Sequence, residues 1–234
     1  MSALYLIPLP IADLQNAHEF ILPQVRQVIA TTDYYLVENL RTARRFIAWL
    51  KTGRSIDALH FFLLNKNTSS EEVASYFQQI PPQASVGLMS EAGCPGIADP
   101  GQWAVKYAHQ TGRRVVPLVG PSSIVLALMA SGLNGQQFVF HGYLPVARQE
   151  RISALRRLEK EALQGITQIF IEAPHRNDHI IEDMLAHLRP HTLLCIAAQL
   201  TAPEELICTK TISQWQAQKP HLGKVPAVFL LGTW

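Results

Sequence analysis

Cysteine is scarce in this chain. Three occur in 234 residues, at Cys94, Cys195 and Cys208, an odd number without C-x-x-C spacing. That argues against a disulfide framework and a structural zinc site, and it fits a reducing cytoplasm. Charge is scarce too. Charged residues make up 16% and the net charge is +2, which argues against binding nucleic acid by bulk charge alone. Long hydrophobic runs are missing. The most apolar segment, residues 124–133, falls well short of the ~20 residues that span a bilayer. Residues 1–6 carry no positive charge, so no signal peptide is expected. No G-x-G-x-x-G follows the first apolar run, where Pro8-Leu9-Pro10-Ile11-Ala12-Asp13-Leu14 stands instead, and no Walker A sequence occurs. The common phosphate cradles are therefore excluded. His175 and His179 lie one helical turn apart, but H-E-x-x-H is absent, and no metal site is assigned. There are no internal repeats and no low-complexity tracts.

What is present is apolar and alternating. A hydrophobic content of 48% supplies a sizeable core for one large domain or two small ones. Strand-like runs at 4–9, 34–38, 60–64, 85–89 and 115–119 alternate with helical stretches at 16–31, 42–51, from Ser69 or Ser70 onward, and at 103–109. Such βα alternation predicts a mainly parallel sheet with helices on both faces. Beyond Gly120 the pattern changes. Strands are expected at 137–143, 167–172, 193–198, 206–212 and 225–231, with helices at 124–130, 148–163 and 176–188. Strands outnumber helices late in the chain, which predicts a mixed α/β sheet. The expected domains are residues 1–118 and 119–234.

Three loops carry chemistry. Ser90-Glu91-Ala92-Gly93-Cys94-Pro95-Gly96-Ile97-Ala98-Asp99-Pro100-Gly101 holds three glycines and two prolines in twelve residues, between a strand and a helix. Ligands of open α/β sheets bind at such strand ends. Asp99 before Pro100 also reads as a helix N-cap. Gly120-Pro121-Ser122-Ser123 opens a second helix at the expected domain junction, where ligand clefts are common. Glu172-Ala173-Pro174-His175-Arg176 ends a strand in the second half. Two basic clusters stand out: Arg41, Arg44, Arg45, Lys51 and Arg54, and then Arg148, Arg151, Arg156, Arg157 and Lys160. Each reads either as a solvated face or as a phosphate contact.

In their order, these segments resemble the tetrapyrrole methylase family of S-adenosylmethionine (SAM) methyltransferases. Within it they are most similar to the branch that methylates 16S ribosomal RNA at a cytidine 2′-oxygen. The branch's S-D-A-G-x-P-x-I-S-D-P-G stands here as SEAGCPGIADPG, and its V-V-P-L-P-G-P-S-A as VVPLVGPSS. Its F-x-F-x-G-F-L-P stands as FVFHGYLP, its E-S-P-H-R as EAPHR, and its R-E-L-T-K-x-x-E-E as AQLTAPEE. Three segments depart. A-E-D-T-R becomes VENLR at residues 37–41, T-P-I-G-N-L becomes LPIADL at residues 9–14, and the Arg and Glu of R-E-L-T become Ala198 and Gln199.

The resemblance implies two α/β domains with SAM in the cleft between them, in a cytoplasmic homodimer. It implies donor contacts at Pro8, Ser90, Ala92, Gly93 and Asp99, at Gly120, Pro121, Ser122 and Ser123, and at Glu172, Leu200, Thr201, Pro226 and Ala227. It offers acceptor contacts at Asn39, Arg41 and Arg176. A ribose hydroxyl must lose its proton during transfer, for which Glu91, His175 and Glu38 are the candidates. The expected function is SAM-dependent methylation of ribosomal RNA. The alternatives are a methyltransferase for a tetrapyrrole-like small molecule and a SAM-binding protein with reduced catalysis.

Overall fold

A computed structural model describes residues 2–12 and 20–234. They form two compact units, Met1–Ser122 and Ser123–Trp234. The part of the expected first helix that falls on residues 16–19 lies outside the described residues.

The first unit is built on five strands: β1 (Ala3–Leu6), β2 (Tyr34–Val37), β3 (His60–Leu63), β4 (Val86–Met89) and β5 (Arg114–Pro117). They pair in the order β3-β2-β4-β1-β5, and every pairing is parallel. Side chains alternate across the sheet, as strand geometry requires. Ile7, Tyr35, Val37 and Met89 face one core with α1 (Pro23–Thr31) and α2 (Leu40–Trp49). Leu4, Leu36, Val86 and Leu88 face the other, with α3 (Ser70–Gln78) and α4 (Gln102–Gln110).

Local chemistry sets where these helices begin. Pro23 stands in the first turn of α1, where its missing N–H costs nothing. Phe20 and Ile21, expected within that helix, therefore precede it. Asn39 caps α2, its side chain accepting from the N–H groups of Arg41 and Thr42. Ser69 and Glu72 form a reciprocal capping box on α3. The capping expectation for Asp99 does not hold. Gly101 is the N-cap of α4, and its carbonyl accepts from the Val105 N–H. Asp99 is drawn instead toward Ser90.

The second unit pairs β6 (Phe138–Tyr143), β7 (Thr167–Ile171), β10 (Ala227–Gly232), β8 (Leu193–Ala198) and β9 (Leu206–Thr211) in that order. Only β6 and β7 are parallel, so the sheet is mixed. One face packs against α6 (Arg148–Ala162), α7 (Asn177–His187) and α8 (Ile212–Ala217), and the other against α5 (Ser123–Ser131). The short helix α8 replaces the expected end of a strand, because Thr211 and Gln214 form a second capping box there. Among the described residues no helix is long and apolar enough to cross a membrane.

Candidate functional site

In the first unit, β1 and β4 are neighbours whose onward connections leave in opposite directions, to β2 and to β5. The crevice outside the carboxyl ends of two such strands is the binding position of open α/β sheets. The loops that meet there are stitched together by backbone. Leu9 and Gly93 exchange two N–H···O bonds of 2.9 and 3.0 Å. Gly93 does so at a φ of +64°, which glycine adopts without steric cost. The Cys94 thiol donates to the Pro121 carbonyl at 3.3 Å. Gly120 lies so close to Pro8 that a Cβ there would fall 2.2 Å from the proline ring. Pro8, Gly93, Gly120 and Pro121 are thus gathered at one end of the sheet, with little side-chain bulk over the backbone.

Beside these loops stand three carboxylates. Glu38 follows β2 and Glu91 follows β4, and the Glu91 N–H donates to Glu38 Oε2 at 3.1 Å. Burial pushes the Glu38 carboxyl above its usual range, and the charges of Asp99 and Glu91 add to this against the Glu91 hydrogen bond. Burial also raises Asp99, helped by the charge of Glu91 and opposed by a hydrogen bond with Ser90. A carboxylate raised in this way is a better proton acceptor near neutral pH.

A cavity of about 170 Å³ opens on the same end of the unit. Its walls are Leu9–Ala12 from the β1 loop, Glu91 and Ala92 from the β4 loop, and Thr42, Arg45 and Phe46 from α2. Sequence reasoning singled out Arg45 only as one of a cluster and residues 9–12 only as part of a departing motif, and it passed over Thr42. Nothing in their spacing announces the Leu9–Gly93 stitch that turns them toward one space.

The second unit gathers its own motif segments at one end of its sheet. The Gln199 N–H donates to the Pro226 carbonyl at 2.9 Å, and Ala227 pairs with Ala198. Leu200 is buried there. Gln199 and Thr201 both hold positive φ, at 52° and 68°, which for a β-branched residue is strained. Such strain clusters at functional sites. Asn177, which sequence reasoning missed, donates to the carbonyls of Gly223 and Val225. Glu172 is buried, and its Oε1 accepts from the Ala173 N–H and from Arg176 Nε. The Arg176 guanidinium, offered as an acceptor contact, is engaged by Glu172. Glu172 Oε2 has no hydrogen-bond partner. His175 stands exposed in the 3-10 turn Pro174–Arg176 of this unit, while Glu38 and Glu91 meet in the first.

The basic clusters divide by partner. Arg44 is paired with Asp57 and Arg54 with Asp33. Arg148 and the buried Arg151 converge on Asp183. The second cluster is therefore not one solvated or phosphate-facing surface. Arg156, Arg157 and Lys160 are its exposed remainder.

Two solved structures share this architecture. The crystal structure of the methyltransferase CobJ aligns over 100% of this chain and 95% of its own, with a TM-score of 0.65 at 14% identity. That of uroporphyrin-III-C-methyltransferase from Thermus thermophilus aligns over 99% and 94%, with a TM-score of 0.56 at 16% identity. The fold is that of the tetrapyrrole methylases, with the glycine-rich loops at the switch point of its first sheet. No protein-family model matches the chain. The ribosomal RNA small subunit methyltransferase I of Vibrio cholerae is 31% identical over 231 residues, 97% of this chain and 76% of the relative. The protein of the same name from Xylella fastidiosa is 30% identical over 93% and 75%. The chain belongs to the ribosomal RNA small subunit methyltransferase I family.

Proposed function

We propose that this protein transfers a methyl group from SAM to a ribose 2′-hydroxyl of small-subunit ribosomal RNA. The observation that carries the reading is the 31% identity to a named ribosomal RNA methyltransferase across 97% of the chain. The residues fit the donor. Gly93 carries no side chain at the switch point, where a Cβ would meet only the Pro121 carbonyl, at 3.5 Å, and Gly120 lets the Pro8 ring close on the loop. Pro8, Ser90, Ala92, Asp99, Pro121 and Ser122 complete that wall. Ser123, Leu200, Thr201, Pro226, Ala227 and the unpartnered oxygen of Glu172 are the donor contacts offered by the second unit. When bound, SAM supplies a methyl group already activated by its sulfonium charge.

The chain's own task is to align the acceptor, exclude water and take one proton. Glu38 is the group we assign to take the hydroxyl proton at its carboxylate, which the Glu91 N–H holds in place. The same reading places the protein among ribosomes in the cytoplasm, as a homodimer.

The test is tritiated-methyl transfer from SAM to small ribosomal subunits, total RNA and a small-molecule extract, all from a strain lacking the protein. Label should enter RNA and resist alkaline cleavage at the modified ribose. Label confined to small molecules would favour a tetrapyrrole-like acceptor. SAM binding without transfer to any fraction would favour a protein with lost catalysis. Gly93→Arg should abolish SAM binding in calorimetric titration, and undiminished affinity would remove these loops from the donor site.

A further inference from the structure

The cavity between the β1 loop and α2 shares Ala92 with the proposed donor wall, and the rest of its lining is not accounted for by donor binding or by proton removal. Its floor is apolar, formed by the buried Leu9 and Phe46. Its remaining walls hold Ile11, Ala92 and two side chains of opposite charge, Arg45 and Glu91. A volume of about 170 Å³ is on the scale of a single ring rather than an extended chain.

Arg45 is the basic residue that lines it, and the charge along α2 is uneven. Of the basic cluster on and after α2, Arg44 and Arg54 are neutralised by Asp57 and Asp33. Arg41 and Arg45 are exposed, and among the described residues neither is paired with a carboxylate. They stand four residues apart on α2. That spacing places them on one helix face, ~6 Å apart at Cβ, close enough for two guanidinium groups to hold one phosphate. Across the cavity, the Glu91 carboxylate is an acceptor of the kind that reads the exocyclic amino group of cytosine. An apolar floor, a paired cationic lip and one opposing acceptor describe a nucleotide.

We propose that this cavity is a nucleotide subsite for the RNA strand, seating one base against the partly exposed Ile11 and Ala12 while Arg41 and Arg45 clasp the adjoining phosphate. It rests on the RNA reading above and adds the place where the strand is held, beside the Glu38–Glu91 pair. The occupied side chains fit the assignment. Asn39 is spent on capping α2 and so serves the subsite by positioning Arg41 rather than by touching RNA.

The test uses the full chain with SAM present and a short fluorescent oligocytidylate, followed by anisotropy over a range of salt concentrations. Arg45→Gln and Arg41→Gln should each weaken binding about tenfold, as expected for a charge-assisted contact. Each should also lower the slope of log affinity against log salt by about 0.7, the value for one single-strand phosphate. Ala12→Trp, which fills the cavity, should weaken binding with the slope unchanged. Arg44→Gln, whose guanidinium is already paired, should leave both quantities as they are. Calorimetric SAM affinity should hold in all four variants, which also shows that they are folded.

The proposal is overturned if wild-type protein does not bind the oligonucleotide. It is equally overturned if Arg45→Gln keeps both affinity and slope, or if Ala12→Trp loses SAM, since the cavity would then belong to the donor. Methyl transfer to ribosomal subunits by the wild type is scored separately. Wild-type transfer with unaltered Arg45→Gln binding sinks the subsite alone, and variant-sensitive binding without transfer sinks the activity alone.

Discussion

The proton acceptor proposed above, Glu38, carries the pH behaviour expected of this protein. Glu38 must be ionised to accept a proton, and burial beside Asp99 and Glu91 raises the pH at which it ionises. Methyl transfer should therefore fall as pH drops through that raised value, at a higher pH than an ordinary glutamate would give. Glu38→Gln keeps an oxygen for the Glu91 N–H but cannot take the proton. It should lower kcat by ~10²- to 10⁴-fold and erase the acidic limb of a kcat/KM profile. Glu91→Gln removes a neighbouring negative charge and should move that limb to lower pH. A profile unchanged in both variants would place the base elsewhere. Both glutamates are visible as candidates in the sequence, each at the end of an apolar run. Their hydrogen bond is not, because it joins residues 53 positions apart through the pairing of β2 with β4.

Among the elements, α2 has the most to lose from one substitution. Asn39 accepts from two N–H groups of its first turn, and the same turn carries Arg41. Asn39→Ala should cost about 1 kcal/mol, seen as a lower urea midpoint for the first unit. Asn39→Asp should keep the cap, since both residues cap well. Equal midpoints for all three proteins would show that the cap contributes nothing. The segment VENLR differs from the pattern it resembles at this position, yet asparagine does the same local work. Helix starts were legible where a cap or a proline lies next to the periodic residues, as at Ser69. At Asp99 the reading failed, because the Ser90–Gly101 loop carries that carboxylate toward Ser90 and leaves Gly101 to open α4.

At the scale of the whole molecule, each unit has its own two-faced sheet and its own buried centre. In the second unit that centre includes Asp183, bound by Arg148 Nε at 2.9 Å and Arg151 Nη2 at 2.6 Å. Burial alone would raise the Asp183 carboxyl, but the hydrogen bonds and charges of the two arginines overcome it and hold it below the usual range. Its stabilisation is complete above the ordinary aspartate range and is lost as pH falls through the depressed value. Asp183→Ala strands the buried Arg151 charge and should cost about 3–5 kcal/mol. The second unit should then melt earlier at neutral pH and lose less stability on acidification than wild type. A melting curve that matches wild type at both pH values would refute this. The composition and spacing of the sequence determined the two α/β units, the parallel and mixed sheets and the glycine-rich loops, because periodicity and turn chemistry act over a few residues. Only the tertiary structure decided which arginines are spent on carboxylates, which glutamates meet, and that residues 9–12 wall a cavity with Arg45. Those outcomes depend on strand order and loop stitching, which join residues far apart in the chain.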